Sequence, residues 1–253
     1  MLELREITAG YGKHIVLEKV SVSLERGKLT SIIGLNGCGK STLLKTIPGI
    51  LPPCSGEILL DGQNLEDMPR KERAKRIAYL SQGKNTPDMT VEQMVLHGRF
   101  PHLRYPRRYT NKDREIAFAA MEQAGIADHA GEPLYALSGG MRQSAYIAMA
   151  LAQGTEYILL DEPTTYLDIA HQLELMKLLR RLAAEGKGIV TVLHDLPMAF
   201  TFSDRVVVLH EGAVLADGSP ACLYTQDILQ KVFGVTLQKA PDQESYTYSF
   251  PGK

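Results

Sequence analysis

The sequence predicts an α/β fold, on three observations. Short apolar runs closed by turn residues recur along the chain, helix-length patterns lie between them, and only the opening stretch alternates apolar and polar residues in the manner of a half-exposed sheet. Unbroken apolar runs of four or five residues fit strands buried on both faces, as in parallel sheets. Strands alternating with helices then give an α/β class rather than an all-α or all-β one.

In chain order, residues 1 to about 28 alternate over short stretches (Leu2 and Leu4, then Val20, Val22 and Leu24) and read as antiparallel strands. The apolar run 29–33 reads as a buried strand closed by Gly34, and 41–47 as a helix after it. From about 84 to 153 there are helical patterns, at 111–124 and 140–152, but no convincing strand. That stretch is expected to be a helical insertion in one α/β core made of residues 1–83 and 154–253. Strands follow at 157–160 before Asp161, at 189–193 before His194 and at 206–209 before Glu211-Gly212. Between the first two lies a helix at 169–184, with Leu173, Met176, Leu179 and Leu182 at steps of three.

Composition narrows the function. The 253 residues carry 28 Lys+Arg against 29 Asp+Glu, a net charge of −1, which argues against a simple polyanion binder and predicts no nucleic-acid partner. With 44% hydrophobic and 23% charged residues, disordered and fibrous classes are excluded. The longest apolar stretch, 145–152, falls far short of the roughly 20 residues that span a bilayer. The opening carries Glu3 and Glu6 where a signal peptide would be basic and then apolar, so a cytosolic chain is expected. Cys38, Cys54 and Cys222 are odd in number and unrelated in spacing, and are read as thiols outside any disulfide or zinc site.

The strongest motif is Gly34-Leu35-Asn36-Gly37-Cys38-Gly39-Lys40-Ser41, the pattern G-x-x-x-x-G-K-[ST] between an apolar strand and a helix. Its glycines let backbone N–H groups close on phosphate oxygens, Lys40 supplies a point charge, and the Ser41 hydroxyl suits Mg2+. Downstream, Asp161 and Glu162 end the strand 157–160, where ligands gather in open α/β sheets. One acid can support a metal ion while the other orients or deprotonates water, since phosphoryl transfer depends on positioning.

A second anion-binding helix start is Leu137-Ser138-Gly139-Gly140. One nucleotide needs one phosphate loop, so Ser138, Gly139 and Gly140 fit a role in trans, capping the nucleotide of another copy across a two-fold axis. A serine N-cap followed by glycines is the plainer alternative.

In this order the motifs resemble ATP-binding cassette ATPases, P-loop NTPases that serve as motor subunits of membrane transporters, and the resemblance covers nearly the whole chain. It implies ATP with Mg2+ held by Tyr11 (stacking on adenine), Gly34, Asn36, Gly37, Cys38, Gly39, Lys40, Ser41, Thr42 and Asp161, the metal by Ser41, Gln82 and Asp161. It implies catalysis by Glu162, His194 and Gln82, and alignment of the facing copy by Asp168. The stretch Leu160-Asp161-Glu162-Pro163-Thr164-Thr165-Tyr166-Leu167-Asp168-Ile169-Ala170-His171-Gln172, with His97-Gly98-Arg99-Phe100-Pro101-His102, is similar to ATPases of bacterial importers for iron(III) siderophores. Haem and cobalamin importers are cousins.

Such a resemblance implies a homodimer on integral permease subunits at the cytoplasmic face of the plasma membrane, served indirectly by a periplasmic or surface substrate-binding protein. A cassette acting on a protein assembly or ribosome is the alternative, as is an ATP-binding protein without hydrolysis. Leu137 to Gly140 resemble the family's signature, and departures from the family pattern are Met141 and Ser144 after it and Leu35 in the phosphate loop. Cys38, between two phosphate-loop glycines, reads as a small filler, with a redox thiol as the alternative. Arg99, Arg104, Arg107 and Arg108, interleaved with Phe100, Tyr105 and Tyr109, read as a solvated basic loop or as a contact with permease or lipid headgroups.

Overall fold

The computed structural model describes residues 1–83, 86–225, 227–240 and 245–249. The expected start of the helical insertion, at about residue 84, lies outside them.

The chain opens with β1 (Leu2–Tyr11) and β2 (His14–Leu24), a hairpin whose last paired residues are Tyr11 and His14. Next come β3 (Leu29–Ile33), α1 (Lys40–Thr46), β4 (Ser55–Leu60), β5 (Gln63–Asn64), α2 (Arg70–Arg76) and β6 (Ile77–Leu80). Three helices, α3 (Val91–His97), α4 (Asn111–Gln123) and α5 (Gly139–Ala152), separate β6 from β7 (Tyr157–Leu160). The remainder is α6 (Ile169–Ala184), β8 (Gly188–Val192), α7 (Leu196–Phe202), β9 (Arg205–His210), β10 (Ala213–Gly218), α8 (Pro220–Tyr224), α9 (Ile228–Phe233), β11 (Thr236–Lys239) and β12 (Tyr246–Ser249).

These strands form an antiparallel sheet in the order β2-β1-β4-β5, a main sheet in the order β10-β9-β3-β8-β7-β6, and the small pair β11-β12. Within the main sheet β9, β3, β8, β7 and β6 run parallel, and β10 is an antiparallel edge. All residues of β3, β7 and β8 are buried, which is why their sequences read as unbroken apolar runs.

Alternate side chains of each core strand serve opposite faces. Ile158 and Leu160 join the cluster with α3 to α7, whereas Tyr157 and Leu159 join Leu2, Leu4, Val20, Val22 and α1's Leu43 and Leu44 beneath the antiparallel sheet. Polar clamps hold that sheet on: Arg26 donates to Asp61 at 2.9 and 2.6 Å, Arg76 donates to Asp61 at 2.6 Å, and both guanidinium groups pair with Glu156 just before β7.

The expected elements recur with ends displaced by one residue: α1 begins at Lys40, and β8 spans Gly188–Val192 rather than 189–193. The antiparallel sheet extends further than the opening 28 residues, because β4 pairs with β1 from Leu60 opposite Leu2 to Ser55 opposite Thr8. In sequence, β4 carries three consecutive apolar residues and no alternation.

Between β6 and β7, the insertion is built on caps. Thr90 and Gln93 form a reciprocal capping box on α3, and Thr110 and Asp113 form another on α4. Arg99 departs from the solvated loop expected of it. It is buried, donates to Asp113 at 3.0 Å and to the Ala152 carbonyl at 2.8 Å, and so pins the α3–α4 connection to the end of α5. Arg104, Arg107 and Arg108 are exposed, with Arg107 stacked on Phe100 at 4.7 Å.

Candidate active site

Strand order brings the site together. β3, β8, β7 and β6 are successive neighbours in one parallel sheet, so their carboxyl ends share one edge. The phosphate loop leaves β3, His194 follows β8, Asp161 and Glu162 follow β7, and Gln82 follows β6. That edge is where ligands bind in open α/β sheets.

In the loop, Gly39 at φ 104° caps α1 in a conformation that a Cβ would strain, and its missing side chain also leaves room for Leu17, which an added Cβ would meet at 2.6 Å. Lys40 is buried and donates to the carbonyls of Gly34 and Leu35, at 2.9 Å each. Together with Asn36, Gly37, Ser41, Thr42 and Glu162 it lines a cavity of about 160 Å³. Tyr11 ends β1, half exposed.

Ser41 donates its hydroxyl hydrogen to Asp161 Oδ1 at 2.9 Å, and the Tyr79 hydroxyl donates to Oδ2 at 3.2 Å. Burial pushes the Asp161 carboxyl above its ordinary value, more than those two hydrogen bonds lower it. A buried carboxylate beside a serine hydroxyl is a hard-oxygen pair that suits Mg2+, and a cation there would relieve the burial cost. Among the described residues no cluster of three His, Cys, Asp or Glu is positioned to hold a metal ion.

Glu162 is clasped on both oxygens. His194 Nε2 lies 2.7 Å from Oε1, Gln82 Nε2 donates to Oε2 at 2.9 Å, and the Thr165 hydroxyl donates to Oε2 at 3.3 Å. Its backbone sits at φ 53°, a left-handed conformation that costs a non-glycine residue about 1–2 kcal/mol.

Cys38, within the loop, has its side chain buried, and burial raises its thiol pKa, with Lys40 opposing only in part. That is the reverse of the low-pKa setting a redox thiol needs.

The turn Ser138, Gly139, Gly140 does not join this cavity. The Ser138 hydroxyl oxygen caps α5 by accepting from the Met141 N–H at 3.3 Å, and Gly140 packs against the ring of His171. Asp168 caps α6, accepting from the His171 N–H at 2.9 Å. Neither group lines the phosphate-loop cavity of its own chain. Tyr79 and Thr165 are the contributors that sequence reasoning missed: Tyr79 belongs to no motif, and nothing in the stretch 160–172 marks Thr165 as a partner of Glu162.

The sequence model of the family described as ABC transporter matches residues 17–165. The chain belongs to the ABC transporter family. Among relatives of this ABC transporter protein is the iron(3+)-hydroxamate import ATP-binding protein FhuC of Bacillus subtilis, 44% identical over 95% of this chain and 90% of the relative. Among solved structures, a transporter described as metal-chelate type, in an inward-facing conformation, superposes with a TM-score of 0.84 at 27% identity over 98% of this chain and 95% of that one. A dimeric ATP-binding cassette in a post-hydrolysis state, bound to ADP and Pi, superposes with a TM-score of 0.75 at 30% identity over 87% of this chain and 99% of that one. The cassette fold and ATP binding therefore hold for this chain. No helix among its described residues is long and apolar enough to cross a membrane.

Proposed function

We propose that the chain is the ATP-hydrolysing subunit of an importer for iron(III)–siderophore complexes, working as a homodimer beneath a membrane permease at the cytoplasmic face. The observation that carries the hydrolytic reading is Glu162, held by His194 and Gln82 beside the phosphate-loop cavity. The cargo reading draws on the likeness to the hydroxamate-import protein and to the metal-chelate type transporter.

In this reading the 34–41 backbone and Lys40 bind the triphosphate of ATP, and Tyr11 stacks on the base. Lys40 is already fixed by two carbonyls, so little side-chain freedom is lost on binding. Ser41, Asp161 and Gln82 would hold Mg2+, which neutralises phosphate charge when bound. Glu162 accepts the proton of the attacking water at one carboxylate oxygen, and His194 and Gln82 hold that carboxylate in place. In the ATP-bound state His194 donates instead to the terminal phosphate, with Gln82 and Thr165 left on the carboxylate. Ser138, Gly139 and Gly140 close on the nucleotide of the second copy, where Asp168 aligns the facing surface.

The test is uptake of radioactive iron, supplied as a ferric hydroxamate, by cells deleted for the chain. Restoration by the wild type and not by Glu162→Gln is expected, and undiminished uptake in the deletion rejects the cargo. Membrane fractionation with and without the co-expressed permease separates a transport motor from a cassette acting on a ribosome or protein assembly.

A further inference from the structure

Two turns assigned above to the face of a second copy meet at one side chain. His171, in the first turn of α6, accepts no motif role in the hydrolytic reading. Its Nδ1 lies 2.8 Å from Asp168 Oδ2, while its backbone N–H donates to Asp168 Oδ1 at 2.9 Å. The far edge of the ring lies on Gly140, where a Cβ would stand 2.2 Å from Cδ2 and 2.9 Å from Nε2. Only glycine lets the imidazole approach the α5 backbone this closely. The next residue, Gln172, donates to the carbonyls of Thr164 and Leu167 at 3.2 and 2.9 Å, so the strand-ending segment after Glu162 is fastened to the same helical turn.

Stability does not account for this arrangement. The side chains of His171 and Asp168 are 41% and 65% exposed, and exposed pairs three residues apart on a helix add little to folding. What the pair does is fix a distance between two turns. Positioning errors of about 1 Å can cost orders of magnitude in rate where a site is assembled from separate pieces.

We propose that His171 is a positioning residue for ATP hydrolysis, a brace that ties the Asp168 turn to the Gly140 turn so that both meet the second copy in one fixed geometry. This rests on the two-chain reading of the site. Hydrogen bonding to Asp168 orients the ring, and the ring edge sets Gly140, so both ends of the brace are needed.

The experiment uses two variants of the full chain. His171→Phe keeps a ring against Gly140 and loses the donor to Asp168. His171→Asn keeps a donor within reach of Asp168 and loses the ring edge. Each should lower kcat for ATP hydrolysis about tenfold, leave KM for ATP within about twofold, and leave Tm within about 2 °C of wild type. Ser138→Arg is measured alongside. Loss of turnover in Ser138→Arg with wild-type kcat in either His171 variant overturns the brace alone. Wild-type turnover in Ser138→Arg overturns the two-chain reading, and the brace with it. A fall in kcat that follows a fall in Tm makes His171 merely structural and also overturns the proposal.

Discussion

Glu162 Oε1 lies 2.7 Å from His194 Nε2, although 31 positions separate the two along the chain from strand end to strand end. The relationship exists because β7 and β8 are adjacent parallel strands that finish at one edge. With Gln82 on its other oxygen at 2.9 Å, the carboxylate is held from three successive strands at once. A group so fixed has little positional freedom to lose when water enters, which is what a base for phosphoryl transfer requires.

Glu162→Gln keeps the shape and the hydrogen-bonding reach of the side chain but removes its affinity for a proton. Turnover should fall by about 10² to 10⁴ while ATP binding persists. Phosphate release and nucleotide titration check both halves, and wild-type turnover excludes Glu162 as the base.

Lys40→Ala removes the buried cation that lines the phosphate-loop cavity and leaves the carbonyls of Gly34 and Leu35 without their donor. Nucleotide affinity should weaken by at least about tenfold, as befits a lost charge-assisted contact of about 1.5–3 kcal/mol. Calorimetric titration with ATP reads it directly; unchanged affinity means the phosphate site lies elsewhere.

Arg99→Ala leaves Asp113 buried without its cation, and should lower unfolding free energy by about 3 kcal/mol. Burial raises the Asp113 carboxyl, but hydrogen bonds from the Thr110 hydroxyl and N–H and from Arg99 outweigh it, so the folded value lies below the ordinary 3.8. The stabilisation from this carboxylate is therefore complete above pH 3.8 and lost as pH falls through the lower folded value. Denaturant melts of wild type and variant at neutral and acid pH should converge toward the acid side.

Cys38 should resist alkylation. Exposed Cys54 and Cys222 are expected to react with iodoacetamide at least about tenfold faster than the buried, pKa-raised Cys38 in the native protein. Peptide mapping after timed labelling gives the order, and equal rates contradict the burial of Cys38.

What was legible in the sequence is what is local in it. The strand-glycine-lysine-helix order around Lys40 lies within one short stretch, and the buried runs 29–33 and 157–160 announce themselves because both faces of β3 and β7 are covered. α2 is charged along its length and has no buried residue, so no periodicity marks it. Tyr79 reaches Asp161 only because β6 and β7 pair in the register Tyr79 opposite Leu159, a relation that no spacing in the sequence encodes. Arg99 misled for a related reason: its neighbours Arg104, Arg107 and Arg108 are exposed, and nothing in that run distinguishes the one guanidinium that folds inward onto Asp113.

The central claim is that each site is built from the phosphate loop of one chain and the Ser138 turn of another, and mixing two inactive variants tests it most directly. Ser138→Arg chains keep an intact loop, and Lys40→Ala chains keep an intact turn. In a mixed dimer both lesions meet at one site, which leaves the other with a complete loop and a complete turn. Neither variant should hydrolyse ATP appreciably alone, and the mixture should recover a substantial fraction of wild-type turnover. No recovery on mixing, together with wild-type hydrolysis that stays first order in protein down to concentrations where the chain is monomeric, contradicts the account.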